Sequence, residues 1–336
     1  MRLFICEFIT GGGLQDNELP DNLVREGNMM LEALLTDLLD SGFTDIITTR
    51  DKRLAPVLLP VESIPIKGDV YRVWQSCMND ADAVLMIAPE NDDILFNLTL
   101  MAEQADCHVL GCSSESVKSA SSKLQTANLL EKNNIPCIET MLFKDETIPD
   151  SENGWVIKPD DGVGAEDCYF CADREDLKQL RKSIDTGHFV IQKYQTGTPA
   201  SLSMICYQGQ TQLLACNKQE FCFNNGKGEL TGLVVNGLQE QWGQFDMIAQ
   251  KIAKADEGLR GYIGVDLIIP DNGSESWPVV LEINPRLTTS YAGLRQSLSL
   301  NPAELILSIW QNGTIPEVHK KQFLPVSLSL DETDVV

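Results

Sequence analysis

Between Leu3 and Gly111 the chain alternates strand-like with helix-like runs, and this restricts the fold more than any other feature of the sequence. Leu3 to Ile9, Asp45 to Thr49, Ala83 to Ala88 and His108 to Gly111 are short apolar runs of strand length. Leu23 to Leu39 and Ile94 to Gln104 carry apolar residues at helical spacing. Strands separated by helices pair in parallel, with the helices covering the faces of the sheet. Ligands of such sheets sit beyond the carboxyl ends of the strands. Gly11-Gly12-Gly13 and Pro89-Glu90-Asn91 both fall there, so Glu7, Thr10, Gly11, Gly12, Arg50 and Glu90 are candidate substrate contacts. The alternative for each is a glycine-rich turn or a helix-capping acid.

A second constraint lies near the other end. Gly261 to Ile269 reads as a strand with one acid, Asp266, among apolar neighbours. The polar turn Pro270 to Ser276 separates it from an apolar run ending in Glu282-Ile283-Asn284-Pro285-Arg286, so the two form an antiparallel hairpin with Asp266 near Glu282. Side chains at i, i+2 and i+4 of a strand share one face, so Glu282, Asn284 and Arg286 are expected to point the same way. With Asp266, that face offers three oxygen donors around one point. Such a set suits magnesium, which keeps waters and leans on substrate phosphates, with manganese as a second option. A salt bridge between Arg286 and one of the acids is the structural alternative.

Trp155 to Pro159 reads as a short strand with Lys158 inside an apolar run, followed by the glycine loop Asp160-Asp161-Gly162-Val163-Gly164-Ala165. Glycines let backbone N–H groups approach phosphate oxygens, and a nearby lysine supplies charge. No Gly-Lys-Ser/Thr follows, so this is not a Walker A loop, and taken alone it is a hairpin turn. From Ser121 an amphipathic segment places Leu124, Ala127 and Leu130 on one face and ends at Asn133, Asn134 and Pro136. Lys123 then sits in the first turn, where a lysine opposes the helix dipole and calls for an anion. Phe189 to Gln195 is an apolar strand running into the turn Thr196-Gly197-Thr198-Pro199, a hinge with backbone groups and the Gln192 amide to offer an adenine edge.

Lys123, Lys158 with its glycine loop, the Gln192 to Gln195 hinge, Asp266, and then Glu282 and Asn284, in that order, resemble the ATP-grasp superfamily over roughly two thirds of the chain. The resemblance implies an α/β chain with α+β lobes, an ATP-grasp fold behind an N-terminal Rossmann-like pre-ATP-grasp domain. It implies ATP phosphates held by Lys123, Lys158 and the loop of Gly162 and Gly164, with Lys218 as a further contact. Adenine would meet Gln192, Lys193, Tyr194 and Gln195; magnesium would be held by Asp266, Glu282 and Asn284. Arg286, with Lys158, would stabilise the transferring phosphoryl group. Where many members carry a ribose-binding acid, this chain has Thr198-Pro199-Ala200. Glu7 to Gly13 and the extension Leu287-Thr288-Thr289-Ser290-Tyr291 resemble a narrower branch, the ligases of one-carbon (methanofuran-type) cofactor assembly. That likeness implies an ADP-forming carboxylate–amine ligase working through an acyl phosphate, joining L-glutamate to tyramine or a similar aromatic amine. Ligation of other amino acids or of pterin or furan precursors, a kinase, and an ATP-binding protein without turnover are the alternatives. Thr288, Ser290 and Tyr291 would line the acceptor pocket or cap the turn that follows.

Composition fits this picture. The chain has 336 residues, enough for two or three domains, and divides into 1–113, 114–194, 195–330 and a frayed tail 331–336. A net charge of −23 argues against nucleic acid or an anionic membrane as partner, leaving small-molecule acid and amine substrates and, open, a homo-oligomer. Cys168 and Cys171 have C-x-x-C spacing, but in a strand they face opposite sides and no second pair appears. Buried free thiols, no zinc site and a cytoplasmic enzyme are therefore expected; His108, His188 and His319 are far apart in sequence, and no apolar span is long enough for a membrane.

Overall fold

The computed structural model describes residues 1–144, 148–164, 167–271, 276–317 and 323–330. Ala165 of the glycine loop, the middle of the Pro270 to Ser276 turn, His319 and the tail Asp331 to Val336 lie outside them. The first part builds β1 (Leu3–Glu7), α1 (Asp21–Asp40), β2 (Ile46–Arg50), β3 (Glu62–Pro65), α2 (Val70–Asp80), β4 (Ala83–Ile87), α3 (Ile94–Gln104) and β5 (His108–Val109). Their five strands form one sheet in the order β3-β2-β1-β4-β5, every pairing parallel. The expected alternation is present, with two additions. β3 is a half-exposed edge strand without an apolar run, and α2 buries only the face of Val70, Trp74, Cys77 and Met78.

After α4 (Ser114–Ser121) and α5 (Lys123–Lys132), the chain adds β6 (Thr140–Leu142), β7 (Trp155–Pro159), β8 (Tyr169–Cys171), α6 (Arg174–Ser183) and β9 (Phe189–Lys193). Then come β10 (Gly197–Tyr207), β11 (Gln210–Asn224), β12 (Lys227–Val235), α7 (Trp242–Ala255), β13 (Gly261–Pro270) and β14 (Val279–Asn284). The last described elements are α8 (Tyr291–Leu298), α9 (Pro302–Asn312) and β15 (Val326–Ser329). Their ten strands form a second sheet, β14-β13-β10-β11-β12-β8-β7-β9-β6, with β15 also on β12. One correction concerns the expected turn at Thr196 to Pro199: β10 already begins at Gly197, paired with Pro270. A Cβ at Gly197 would lie 2.2 Å from the Ile269 carbonyl oxygen, so only glycine lets the two backbones approach here. No described helix is long and apolar enough to cross a membrane. All ten cysteines are free; Cys171 packs in the core beside Trp155 and Ile157, while Cys168 faces the cavity on the other side of β8.

A buried acid joins α1 to α8. Asp37 of α1 accepts hydrogen bonds from Tyr291 Oη and Arg295 Nη1 of α8, each at 3.0 Å. Burial pushes its carboxyl up, and those two partners oppose the shift. Tyr291, a candidate for the acceptor pocket, is thereby corrected: it is 1 % exposed, with its ring against Tyr262 and its hydroxyl on Asp37. Tyr291→Phe is expected to lower unfolding stability by about 1–2 kcal/mol while leaving turnover at saturating substrate intact, measured by urea denaturation beside a steady-state assay. A large fall in turnover without loss of stability would return Tyr291 to the substrate.

Candidate active site

The hairpin of β13 and β14 sets two acids side by side, because Asp266 and Glu282 are direct antiparallel partners. Asn284, opposite Gly264, donates its amide to Asp266 Oδ2 at 3.1 Å, and Gln219 of β11 donates to Asp266 Oδ1 at 2.9 Å. Glu282 Oε2 faces two ammonium groups, Lys158 at 3.0 Å and Lys123 at 3.5 Å. Burial, then the charge of Glu282, push the Asp266 carboxyl well up. Burial would raise Glu282 too, but the two lysines outweigh it and hold that carboxyl down. Burial alone would lower Lys158; Glu282 outweighs it and keeps the ammonium charged. The donor set of two carboxylates and an amide carbonyl is all hard oxygen, and among the described residues no group of three His, Cys, Asp or Glu competes with it for a metal. That chemistry fits magnesium or manganese.

Local structure places both lysines. In β7, Ile157 faces the core and Lys158 the opposite side, as strand alternation requires. Lys123 opens α5, capped by Ser122. Asp160 completes that cap: its carboxylate accepts from Ser122 Oγ at 2.6 Å and from the Leu124 amide at 2.8 Å. The first glycine-loop residue therefore anchors the helix that carries Lys123. Lys123 Nζ in turn donates to the Gly162 carbonyl at 2.6 Å, tying the loop to the cation. Gly164 takes the left-handed conformation at φ +62°, open to space on its Cβ side.

These groups end a cavity of about 290 Å³. Lys123, Lys158, Gly162, Gly164, Asp266 and Glu282 line one part, and Gln192, Lys193, Tyr194 and Gln195 another. Lys193 also pairs with Glu139 at 2.7 Å. Cys168, Gln219, Phe221 and Phe223, which no motif placed at the site, also line the cavity. The rings of Phe221, Phe223, Phe170 and Tyr194 pack edge to face or tilted at 5.0–6.0 Å. The alternation Gln219, Phe221, Phe223 in one strand was the available signal.

Other candidates fall outside the cavity. Lys218 is corrected: Ala200 pairs with both Lys218 and Leu267, whereas Asp266 pairs with Ser201, which pairs with Asn217. Lys218 therefore lies on the sheet face opposite Asp266, exposed, and Gln219 takes the place next to the acid. Lys218→Ala is expected to change the ATP KM and kcat by less than about twofold, the range of a surface substitution. Arg286 does not continue the face of Glu282 and Asn284, because β14 ends at Asn284 before Pro285. Its guanidinium reaches the connection between β4 and α3 and donates twice to Glu90 Oε2, at 3.1 and 2.9 Å. Burial would lower Arg286, and Glu90 outweighs it to keep the cation charged.

Glu90 is thus paired with Arg286, leaving Oε1 buried without a partner. Glu7 is corrected as a substrate contact: it is 2 % exposed and accepts from the Ile9 and Thr10 amides at 3.1 and 2.6 Å, and from the Thr10 hydroxyl. Glu7 and Thr10 thereby close the buried turn that contains Gly11 and Gly12. Gly12, at φ +100°, packs against Ile66. Arg50 is held by Asn28 and the Ala55 carbonyl, each at 2.7 Å. Ser290 is buried and shares hydrogen bonds of 2.9–3.1 Å with Ser203, Tyr262 and half-buried Thr288. This closed hydroxyl cluster removes Ser290 from the substrate candidates.

The chain is similar to known proteins in sequence and in fold. Residues 120–290 match the model of an ATP-grasp domain, and residues 44–117 that of a pre-ATP-grasp domain. Tyramine–L-glutamate ligase of Methanocaldococcus jannaschii is 28 % identical over 313 residues, covering 91 % of this chain and 88 % of the relative. The protein of the same name in Methanocaldococcus fervens is 29 % identical over 331 residues, covering 96 % and 99 %. A solved structure from Archaeoglobus fulgidus, described within the ATP-grasp superfamily, superposes with a TM-score of 0.73 at 23 % identity, covering 98 % of this chain and 92 % of that one.

Proposed function

The chain belongs to the ATP-grasp family, and from that premise we propose that it is an ATP-dependent, ADP-forming carboxylate–amine ligase joining L-glutamate to tyramine or a similar aromatic amine. One observation carries the reading: Lys123 and Lys158 meet the paired acids Asp266 and Glu282 in the wall of a cavity that the strand hinge Gln192 to Gln195 and the rings of Phe221 and Phe223 also line. Lysines and a glycine loop recognise phosphates, and hard oxygen donors beside them recognise the cation that travels with those phosphates. The names of the two curated relatives support the substrates.

In this reading the substrate carboxylate attacks the γ-phosphate, giving an acyl phosphate and ADP, and the amine displaces phosphate to form the amide. Lys123, Lys158 and the loop of Gly162 and Gly164 hold the phosphates, and Gln192 to Gln195 meet adenine. Asp266, Glu282 and Asn284 hold magnesium, which when bound neutralises phosphate charge. The protein supplies alignment and preorganised charge rather than a nucleophile of its own. Residues 1–113 and the segment around Arg286 present the acid and the amine; residues 114–194 and 195–330 form the two lobes of the nucleotide site.

The test is release of ADP and phosphate from the purified chain with magnesium-ATP, L-glutamate and tyramine, products read by mass. One ADP and one phosphate per glutamyl-amide is the expected result, abolished by EDTA and restored by magnesium. Product from other acid and amine pairs only would keep the reaction and discard these substrates. Tight ATP binding with no release across an acid and amine panel would discard the ligase reading.

A further inference from the structure

Gln192 lies in β9 directly opposite Thr140 in β6; it is 3 % exposed and lines the cavity. An amide can present either its oxygen or its nitrogen to a ligand, and the two orientations are nearly equal in shape. Here the neighbours remove that freedom. Thr140 Oγ1 donates its proton to the Ile138 carbonyl at 3.1 Å. With that donor committed, the same hydroxyl serves Gln192 only as an acceptor, and Gln192 Nε2 donates to it at 2.9 Å. Because Gln192 lines the cavity and its nitrogen is taken by Thr140, its side-chain oxygen is the atom left for a ligand. An acceptor at that point complements an exocyclic amine and opposes a carbonyl. We propose that Thr140 is a positioning residue for base selectivity: by relay to Ile138 it locks the Gln192 amide with its oxygen towards the ligand, so that the cavity accepts a 6-amino purine and rejects a 6-oxo purine.

The assignment rests on the nucleotide reading of the cavity, and goes beyond it by naming which residue sets the selectivity and how. Thr140 itself does not line the cavity, so a loss of selectivity on changing it acts through Gln192. The discriminating ligand is inosine triphosphate, which replaces the 6-amino group of ATP with a carbonyl and turns ring N1 from an acceptor into a donor.

The test is calorimetric titration of ATP and of inosine triphosphate into the purified full chain with magnesium, for wild type, Thr140→Val and Thr140→Ser. Wild type is expected to prefer ATP by on the order of a hundredfold, since a site built around a hydrogen bond strongly rejects a ligand that leaves its acceptor unpaired. Thr140→Val frees the amide to turn over, so the preference is expected to fall by about tenfold, with inosine triphosphate binding more tightly than to wild type. Thr140→Ser keeps the relay and retains the wild-type ratio. Thr140→Ala replaces the valine variant if that one does not fold. Equal loss of both affinities in Thr140→Val, or a wild type that does not distinguish the two ligands, overturns the assignment alone. A wild type that binds neither nucleotide overturns the ligase reading, and the assignment with it.

Discussion

Lys158→Met is expected to reduce ADP release by on the order of 10³-fold and to weaken ATP binding as well, while the protein stays folded. Lys158 is a half-buried cation 3.0 Å from Glu282, held charged by that acid against the cost of desolvation. Phosphate oxygens reaching this end of the cavity would exchange one anionic partner for another, so the charge is already in place when negative charge develops. Methionine fills nearly the same volume without it. The acid is not orphaned, because Lys123 remains 3.5 Å from the same oxygen, so unfolding should not confound the measurement. Kinetics with varied ATP would show the effect in both kcat and KM. A variant with near wild-type turnover would remove Lys158 from the chemistry and leave it a structural partner of Glu282.

Arg286→Met is expected to lower kcat by on the order of 10²-fold or more with ATP affinity close to wild type. That division follows from position: Arg286 does not line the cavity of Lys158 and Gln192, and sits between the end of the β13–β14 hairpin and Glu90, which follows β4. The substitution also leaves Glu90 buried without its cation, which costs about 3–5 kcal/mol of stability in comparable buried pairs. The double variant Arg286→Met with Glu90→Gln should recover most of that stability and none of the turnover. Recovery of both would make the pair a structural link between the sheets; urea denaturation and steady-state kinetics on the three proteins separate the outcomes.

The legible parts of the site were those that depend on one strand or one helix turn. Alternation puts Lys158 opposite the buried Ile157, a hairpin brings Asp266 to Glu282, and a capping serine starts the helix at Lys123. Sequence and structure part where a residue's position on a sheet face or past a strand end decides its neighbours. Lys218 and Gln219 differ by one residue, which in a strand is the difference between the two faces of a sheet. The strand ends at Asn284, so Arg286, beyond Pro285, leaves the face of Glu282 and Asn284 that its spacing alone would give it. Glu7, Thr10 and Ser290, polar groups at positions where a ligand could sit, satisfy their hydrogen bonds within the protein. Nothing in a linear pattern separates an acid that meets a substrate from one that closes its own turn.

What the sequence by itself determined was the strand and helix periodicity, the parallel first sheet, the order of lysines, glycine loop and acids, and through these the family. Periodicity and order are local properties, carried by residues within a few positions of one another. Tertiary structure alone decided the partners: which lysines share Glu282, that Asp160 caps the helix of Lys123, that Arg286 binds Glu90, and that Thr140 orients Gln192. Each of those contacts joins separate elements of the fold, far apart in the chain, and its existence depends on how whole sheets and helices pack.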